Sequence, residues 1–418
     1  MDGHPITFHD GGWYCYANST AMLLSAIGEE VSPRLIEVLS GVGLGAFVAP
    51  EAATAGGLPF FSSLAGPPDS GISRALSVLG FDADEHASDG PGAAPLAELS
   101  AVLAGSPAIL GPLDMSLLSY NPGRPVSPGV DHYVLAVRME AGRVVVHDPA
   151  GFAEATIPAA GLEAAWRADA TGYRRGSYRY LTRPRRVARP GADALAAATV
   201  EAFRRLYAEA DRLASTAGCL TDAAAIEYVA GLVRGASLTP AQSGHLLRFA
   251  LPLGAKRALD FAAFFETLNP ELVDLKRRQA RLFGACHSNL ARGEAPAAAD
   301  SLEQLAGLES AIRTRPSKNF RWPVDQGRGG VAVTRRQHSS DSRPALKNGT
   351  SVSAKSAADL WKWQKRARHS TRPIGAIPDR TCVLNSPGSV FGCPNASGKR
   401  AVPGPARPQP SAGRGSAR

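Results

Sequence analysis

The spacing of hydrophobic and polar positions changes along the first 182 residues. Apolar residues at helical spacing come first, and runs rich in β-branched residues come later. The pattern predicts helices at 15–27 and 32–40, followed by strands at 107–111, 132–139, 143–148 and 177–182. Helices followed by an antiparallel sheet are typical of an α+β domain, which we expect over residues 1–182.

The following part of the chain has a helical pattern. Residues 183–192 are rich in Arg and Pro and are expected to be a linker. Apolar positions then recur at helical spacing as far as residue 315. Thr239 and Gln242 have the spacing of a capping box, with Pro240 at the first helical position. We therefore expect an all-helical bundle over residues 193–315.

The last part, residues 316–418, has a different composition. It is rich in Ser, Pro, Gly and Arg and carries 19 Lys and Arg, 4 Asp and no Glu. The first 315 residues contain the remaining 27 basic and 33 acidic residues, so the net charge of +9 comes from this tail. Such a composition is typical of a disordered segment, and equally of a stretch read in a shifted frame. A tail of this kind would bind nucleic acid only non-specifically, through charge.

Neither a membrane segment nor a metal centre is expected. The amino terminus lacks a basic segment followed by an apolar run, and no stretch approaches about 20 uninterrupted apolar residues. The five cysteines are odd in number, widely spaced and without a CxxC pair, which favours reduced thiols over disulfides or zinc. The sequence therefore predicts a cytoplasmic protein.

Cys15 opens the first predicted helix, directly after the turn-forming pair Gly11 and Gly12. A thiol at a helix start meets the positive end of the peptide dipoles, which favours the thiolate. The free backbone N–H groups there can also stabilise a developing oxyanion. The alternative is a small core residue, which is the commoner role of a lone cysteine in an apolar helix.

His132 and Asp148 lie in two runs with the pattern of a β-hairpin. With residues 140–142 as its loop, Val134 lies opposite Asp148, and His132 is a diagonal neighbour of Asp148 on the same face. An aspartate there can hold the imidazole and stabilise the imidazolium that forms when the ring takes a thiol proton. Cys15, His132 and Asp148 are therefore the predicted catalytic residues.

Two stretches carry a resemblance to known families. The sequence YCYANSTAMLL at 14–24, followed by Gly28 and residues 36–47, resembles the amino-terminal domain of butirosin biosynthesis protein H and its relatives. The hairpin segments HYV at 132–134 and VHDP at 146–149 are similar to the His-plus-Asp hairpin of bacteriocin-processing double-glycine peptidases. Both families are papain-like, and the resemblance covers about residues 8–180.

The resemblance implies a papain-like thiol enzyme without a cofactor. Its butirosin-type branch implies an acyltransferase of secondary metabolism, acting between an acyl carrier protein and a small amine or peptide acceptor. Papain-like enzymes usually carry an oxyanion-binding Gln several residues before the nucleophile, but residues 7–12 contain none. His9 is the candidate that replaces it, and the backbone N–H of Cys15 is the other.

Three functions remain open at this point. They are a thiol acyltransferase, a cysteine peptidase with the same three residues, and a non-catalytic binding module. The large helical half favours transfer, because a transferase must dock a carrier, and the basic stretch Arg183–Arg189 is where we expect an acidic carrier to bind. Gly41, Gly43 and Gly45 are candidate substrate-binding positions, where backbone could approach an acyl chain, although a plain connector would have the same composition.

Overall fold

The computed structural model describes residues 4–11, 13–48, 58–88, 94–125, 128–173 and 175–318. Its strands are β1 Phe47–Val48, β2 Phe81–His86, β3 Ala108–Asp114, β4 Asp131–Glu140, β5 Arg143–Asp148, β6 Phe152–Pro158, β7 Tyr180–Arg186 and β8 Leu220–Thr221. Its helices are α1 Cys15–Ser25, α2 Pro33–Ser40, α3 Pro68–Leu79, α4 Pro95–Leu103, α5 Ala159–Arg167, α6 Ala192–Ala217, α7 Asp222–Arg234, α8 Pro240–His245, α9 Leu251–Phe264, α10 Pro270–Ala291 and α11 Ala295–Lys318.

Six strands form one antiparallel sheet in the spatial order β2, β7, β3, β4, β5, β6. The short strands β1 and β8 pair separately and join the amino-terminal part of the chain to the start of α7. From α6 onward the described chain is almost wholly helical. The predicted α+β class, with an antiparallel sheet and a helical carboxy-terminal region, is confirmed.

Both faces of the sheet are covered, as the alternation along β4 requires. Tyr133 and Leu135 point into a core shared with α1, α2 and α3. Val134 and Ala136 point into a second core on the opposite face, shared with α4 and α5. Because successive side chains of a strand point to opposite faces, one apolar strand serves both cores.

Helix α1 is buried on all sides. Every residue from Tyr16 to Ser25 is buried, whereas Cys15 at its start is only half-buried. A helix with no charged residue and only small or amide polar side chains can be buried on every face, as this one is. The first residue is therefore the point at which a central helix reaches the surface.

Several predicted boundaries need correction. The strand expected at 177–182 is β7, which runs from Tyr180 to Arg186, so the first four residues of the expected linker 183–192 belong to the sheet. The pattern did not reveal β2 and β6, because both are edge strands whose apolar residues are interrupted by charged ones and form no apolar run. The capping box of Thr239 and Gln242 is present at the start of α8.

The boundary expected between the bundle and the tail is also shifted. Helix α11 continues to Lys318, past the predicted end of the bundle at residue 315. The remainder of the predicted tail lies outside the described residues. None of the helices in the described ranges combines the length and apolarity needed to cross a bilayer.

Candidate active site

The start of α1 holds Cys15 at the end of a tight turn. The backbone N–H of Trp13 donates to the carbonyl of Gly11 at 2.6 Å, and Tyr14 precedes the first helical residue. No side chain caps this end of the helix, so the first N–H groups of α1 have no cap partner from Tyr14. The thiol therefore stands beside unsatisfied helix donors, the setting that a developing oxyanion needs.

His132 and Asp148 form a short, buried hydrogen bond. The Nε2–H of His132 donates to Oδ1 of Asp148 at 2.6 Å, and neither side chain is more than 5% exposed. Asp148 also accepts from the backbone N–H of Ala150 at 2.7 Å and from the hydroxyl of Tyr120 at 2.9 Å. Burial raises the pKa of Asp148, but these hydrogen bonds outweigh it and hold the pKa below its ordinary value.

His132 and Asp148 are neighbours as predicted, but the hairpin that brings them together has a different turn than expected. Glu140 pairs with Arg143, so the turn is the two residues Ala141 and Gly142, both with positive φ, and not the expected three. The register then shifts between Ala136 and Arg138, where the strand takes up an extra residue. This irregularity restores the predicted register at the end of the hairpin that carries the site, where Leu135 lies opposite His147.

The Cys15 side chain is close enough to His132 to act on the pKa of the ring. Helix α1 packs along β4, and the Tyr16 and Tyr133 rings contact each other at 6.1 Å between centroids. Burial lowers the pKa of His132, but hydrogen bonds to Asp148 and to the Cys15 side chain raise it to about 10. Since Nε2 faces Asp148, Nδ1 is the nitrogen left for the thiol. The Cys15 and Asp148 side chains thus both lie within interaction range of His132.

His9 lies elsewhere along α1. The backbone N–H of Thr7 donates to Oγ of Ser25 at the far end of the helix, while Gly11 lies against Asn18 near its start. His9 is between these two points and therefore runs beside the middle of α1. Burial lowers its pKa against the charges of Glu30 and Asp10, and Cys15 is not among the groups that act on it. A role for His9 as the oxyanion donor stays a prediction.

The three candidate substrate glycines pack against the helical region. A Cβ added at any of them would meet a side chain from α6, α7 or α9, and Gly41 and Gly45 also have positive φ. The pairs are Gly41 with Leu206, Gly43 with Arg257, and Gly45 with Asp222. Glycine is needed here because the carboxy-terminal helices approach the backbone too closely for a side chain. These contacts account for the glycines by packing, and a role in substrate binding stays a prediction.

Helix α9 holds the residue before the cysteine. The hydroxyl of Tyr14 donates to Oδ2 of Asp260 at 2.8 Å, and Nζ of Lys256 donates to the same oxygen at 2.8 Å. Lys256 also lies over the Tyr14 ring, 3.8 Å from its centroid. The helical region therefore fixes the turn from which Cys15 emerges.

The same helix holds the residue after the cysteine. Arg257 donates from Nε to Oε1 of Glu37 at 2.8 Å and from Nη1 to the carbonyl of Phe61 at 2.9 Å. The Tyr16 hydroxyl donates to the other oxygen of Glu37, and Arg257 reaches that hydroxyl at 3.3 Å. Sequence reasoning missed these residues, although Lys256, Arg257 and Asp260 are conspicuous charges in an otherwise apolar helical stretch.

The basic stretch expected to dock a carrier is paired within the chain. Arg185 forms ion pairs with Asp82 and Asp84, at 2.9 and 2.7 Å. Arg186 and Arg189 both pair with Glu29, at 2.5 and 3.0 Å. These arginines tie β7 and the following segment to their neighbours, so their charge is largely neutralised by carboxylates of the same chain.

The described chain is thus an α+β protein in which a thiol at a helix start, an imidazole and a carboxylate meet, with a helical region bracing the cysteine. The family model of the YobF C-terminal domain matches residues 215–315, which include α9. The protein named "Uncharacterized protein YobF" of Bacillus subtilis (strain 168) is 36% identical over 310 residues, 74% of this chain and 97% of that relative. The chain belongs to the YobF family.

Proposed function

We propose that this protein is a papain-like thiol enzyme that forms an acyl-enzyme on Cys15. The observation that carries the proposal is the position of His132, whose Nε2 is bonded to Asp148 and whose pKa is also raised by the Cys15 side chain. A covalent acyl-transfer site needs a nucleophile, a base beside it, and a group that orients the base. Cys15, His132 and Asp148 have the chemistry for these three roles.

The first half of the reaction makes the acyl-enzyme. His132 takes the proton of Cys15, and the thiolate attacks the substrate carbonyl to form a C–S bond while the C=O electron pair moves to oxygen. The backbone N–H of Cys15 and the other free donors of α1 face that oxyanion. Collapse of the intermediate expels the leaving group, which takes the proton from the His132 imidazolium.

The second half transfers the acyl group. An acceptor amine, or water in hydrolysis, gives its proton to His132 as it attacks the thioester carbon, and Cys15 leaves as the thiolate. Asp148 remains ionised throughout, because its hydrogen bonds hold its pKa below the ordinary value. Its charge keeps Nε2 protonated and stabilises the imidazolium in both halves.

For the acyl donor, we propose a carrier-protein thioester with an amine acceptor, following the resemblance to the butirosin-type family. The alternative is a peptide amide, which makes the enzyme a cysteine peptidase. The contacts of α9 are compatible with a peptidase. Asp260 and Arg257 show that the helical region holds the start of α1 in place, and this structural role does not require a carrier protein. Arg185 and Arg186 are paired with carboxylates of the same chain, which leaves less positive charge to bind an acidic carrier and so also favours a peptidase.

Alkylation with iodoacetamide tests the thiol enzyme itself. Peptide-resolved mass spectrometry separates the five cysteines, and Cys219 is an internal reference because burial raises its pKa. We expect Cys15 to react at least about tenfold faster than Cys219 near neutral pH, since a thiolate is the nucleophile. His132→Ala should remove this advantage.

The matched control is His86→Ala. His86 is an exposed histidine on the outer strand of the same sheet, stacked on Tyr180, so its loss should leave the reactivity of Cys15 unchanged. Equal rates at Cys15 and Cys219 in the unaltered protein would mean a non-catalytic module and end the proposal. Intact-mass spectrometry with acyl-carrier thioesters or peptides then decides the donor, because only a true substrate leaves an acyl adduct on Cys15.

A further inference from the structure

A row of aromatic rings leads away from the start of α1 across the helical region. Trp13 contacts Phe249 at 6.0 Å between ring centroids, Phe249 contacts His245 at 5.3 Å, and His245 contacts Phe60 at 4.8 Å. We refer to these four residues as the aromatic strip. Trp13 is 36% exposed and Phe249 is 38% exposed, so the strip presents large apolar surfaces to water.

The helix around Phe249 is locally widened. Residues Leu246–Ala250 form a π-helical turn that leads directly into α9, and Pro252 follows one residue later. A proline has no N–H for the carbonyl four residues earlier and its ring crowds that carbonyl, so a wider turn accommodates it. Single π-turns of this kind occur often at functional sites. Here the turn carries Phe249, the ring that faces Trp13.

The histidine of the strip is neutral. Its Nε2–H donates to the carbonyl of Pro59 at 2.9 Å, and burial lowers the pKa of His245 to about 4. At physiological pH the ring therefore carries no charge, and its contacts with Phe60 and Phe249 are those of one aromatic ring with others. The strip is apolar along its whole length.

We propose that the aromatic strip binds the apolar chain attached to the carbonyl carbon that Cys15 attacks, so that the substrate is an acyl compound with an aliphatic or aromatic tail. This inference rests on the proposed function. The strip begins at Trp13, two residues before Cys15 in the turn that leads into α1, so a tail extending from the thiol in that direction meets its rings first. Covering exposed aromatic surface gives binding energy of the kind that positions an acyl group.

The strip also assigns a second role to the helical region. Phe249 and His245 come from the part of the chain that matches the YobF C-terminal domain, whereas Trp13 comes from the amino-terminal part. The tail would lie on both parts at once. Selectivity for the substrate would then come from the helical region, and the chemistry from α1 and the sheet.

Two alkylating reagents test the proposal, N-hexyl iodoacetamide and iodoacetamide. The ratio of their rate constants at Cys15, divided by the same ratio for glutathione, measures the effect of an apolar tail alone. We expect a value of at least about ten, since each methylene in an apolar site contributes a several-fold preference. Phe249→Ala and Trp13→Ala should each lower it toward one. Leu259→Ala, which removes an apolar side chain of α9 that is 55% exposed and outside the strip, should retain it.

A second measurement does not depend on the thiol. Saturation-transfer NMR of the Cys15→Ser protein with N-hexyl acetamide reports binding of the tail, and Phe249→Ala should weaken it by about tenfold. If Cys15 is reactive but the normalised rate ratio of the two reagents is one, the aromatic strip does not bind the tail, and the proposed function is unaffected. An unreactive Cys15 would overturn the proposed function, and absence of Phe249-dependent binding would overturn the strip in either case.

Discussion

The buried pair of Arg257 and Glu37 gives the sharpest test of how the helical region supports the cysteine. Glu37 is 0% exposed and Arg257 is 7% exposed, so both charges are removed from water. Arg257→Met keeps an unbranched, mostly apolar stem of similar flexibility and deletes the charged guanidinium. It leaves the carboxylate of Glu37 buried with the Tyr16 hydroxyl as its remaining partner from the network around Arg257.

The expected loss is large because a buried carboxylate loses its counter-charge. Removing one partner of a buried ion pair costs about 3–5 kcal/mol in the free energy of unfolding. Arg257 also stops donating to the carbonyl of Phe61 and to Tyr16, which places the loss toward the upper part of that range. Replacing both charges by Arg257→Met with Glu37→Leu removes the stranded carboxylate, so we expect at least about half of the loss to be recovered.

Equilibrium unfolding in urea, followed by circular dichroism, measures these differences. Arg277→Met is the matched control, because its pair with Glu266 is more than half exposed and should not change the unfolding midpoint. A single variant as stable as the unaltered protein, or a double variant no more stable than the single one, would refute the reasoning that Arg257 is needed to compensate Glu37.

Two other variants, Asp148→Asn and Gly45→Ala, test the hairpin and the loop that contains Gly41, Gly43 and Gly45. Because the folded-state pKa of His132 is raised to about 10, its stabilising effect is complete below the ordinary value of 6.5 and is lost as pH rises toward 10. Asp148→Asn should lower the free energy of unfolding by about 1.5–3 kcal/mol near neutral pH and flatten this decline of thermal stability with pH. An unchanged dependence of the melting temperature on pH would contradict the conclusion that Asp148 raises the pKa of His132. Gly45→Ala should cost roughly 1–3 kcal/mol, from positive φ and the clash with Asp222, whereas Gly142→Ala has the same backbone strain without a neighbour within 4 Å. Equal losses in urea unfolding would show that the close approach of Asp222 is unimportant.

The loop that contains Gly41, Gly43 and Gly45 shows what sequence reasoning could not decide. Three glycines after a helix are compatible with a ligand loop or with a close approach of another part of the chain, and both need the same residue type. Leu206, Asp222 and Arg257, which decide between them, lie more than 150 positions further along the sequence. No local pattern carries that information.

The register of the hairpin at His132 and Asp148 was predicted correctly, although its turn was not. Apolar runs rich in β-branched residues identified β4 and β5, and the pairing of His132 with Asp148 followed from them. The turn at Ala141 and Gly142 is one residue shorter than expected, and the irregularity between Ala136 and Arg138 compensates for it. Bulges depend on the twist of the whole sheet, so the agreement at the site could not have been derived from the hairpin alone.

The sequence by itself determined the elements of this protein and the chemistry they carry. Helical spacing placed α1, and apolar runs rich in β-branched residues placed β4 and β5. Residue type marked Cys15 and His132 as candidates, because these signals are local. Only the tertiary structure decided that α1 packs on β4 so that Cys15 meets His132, and that Asp260 reaches Tyr14 from a helix far along the chain. Such contacts depend on the packing of whole faces, whose partners are set by the fold and not by any one segment.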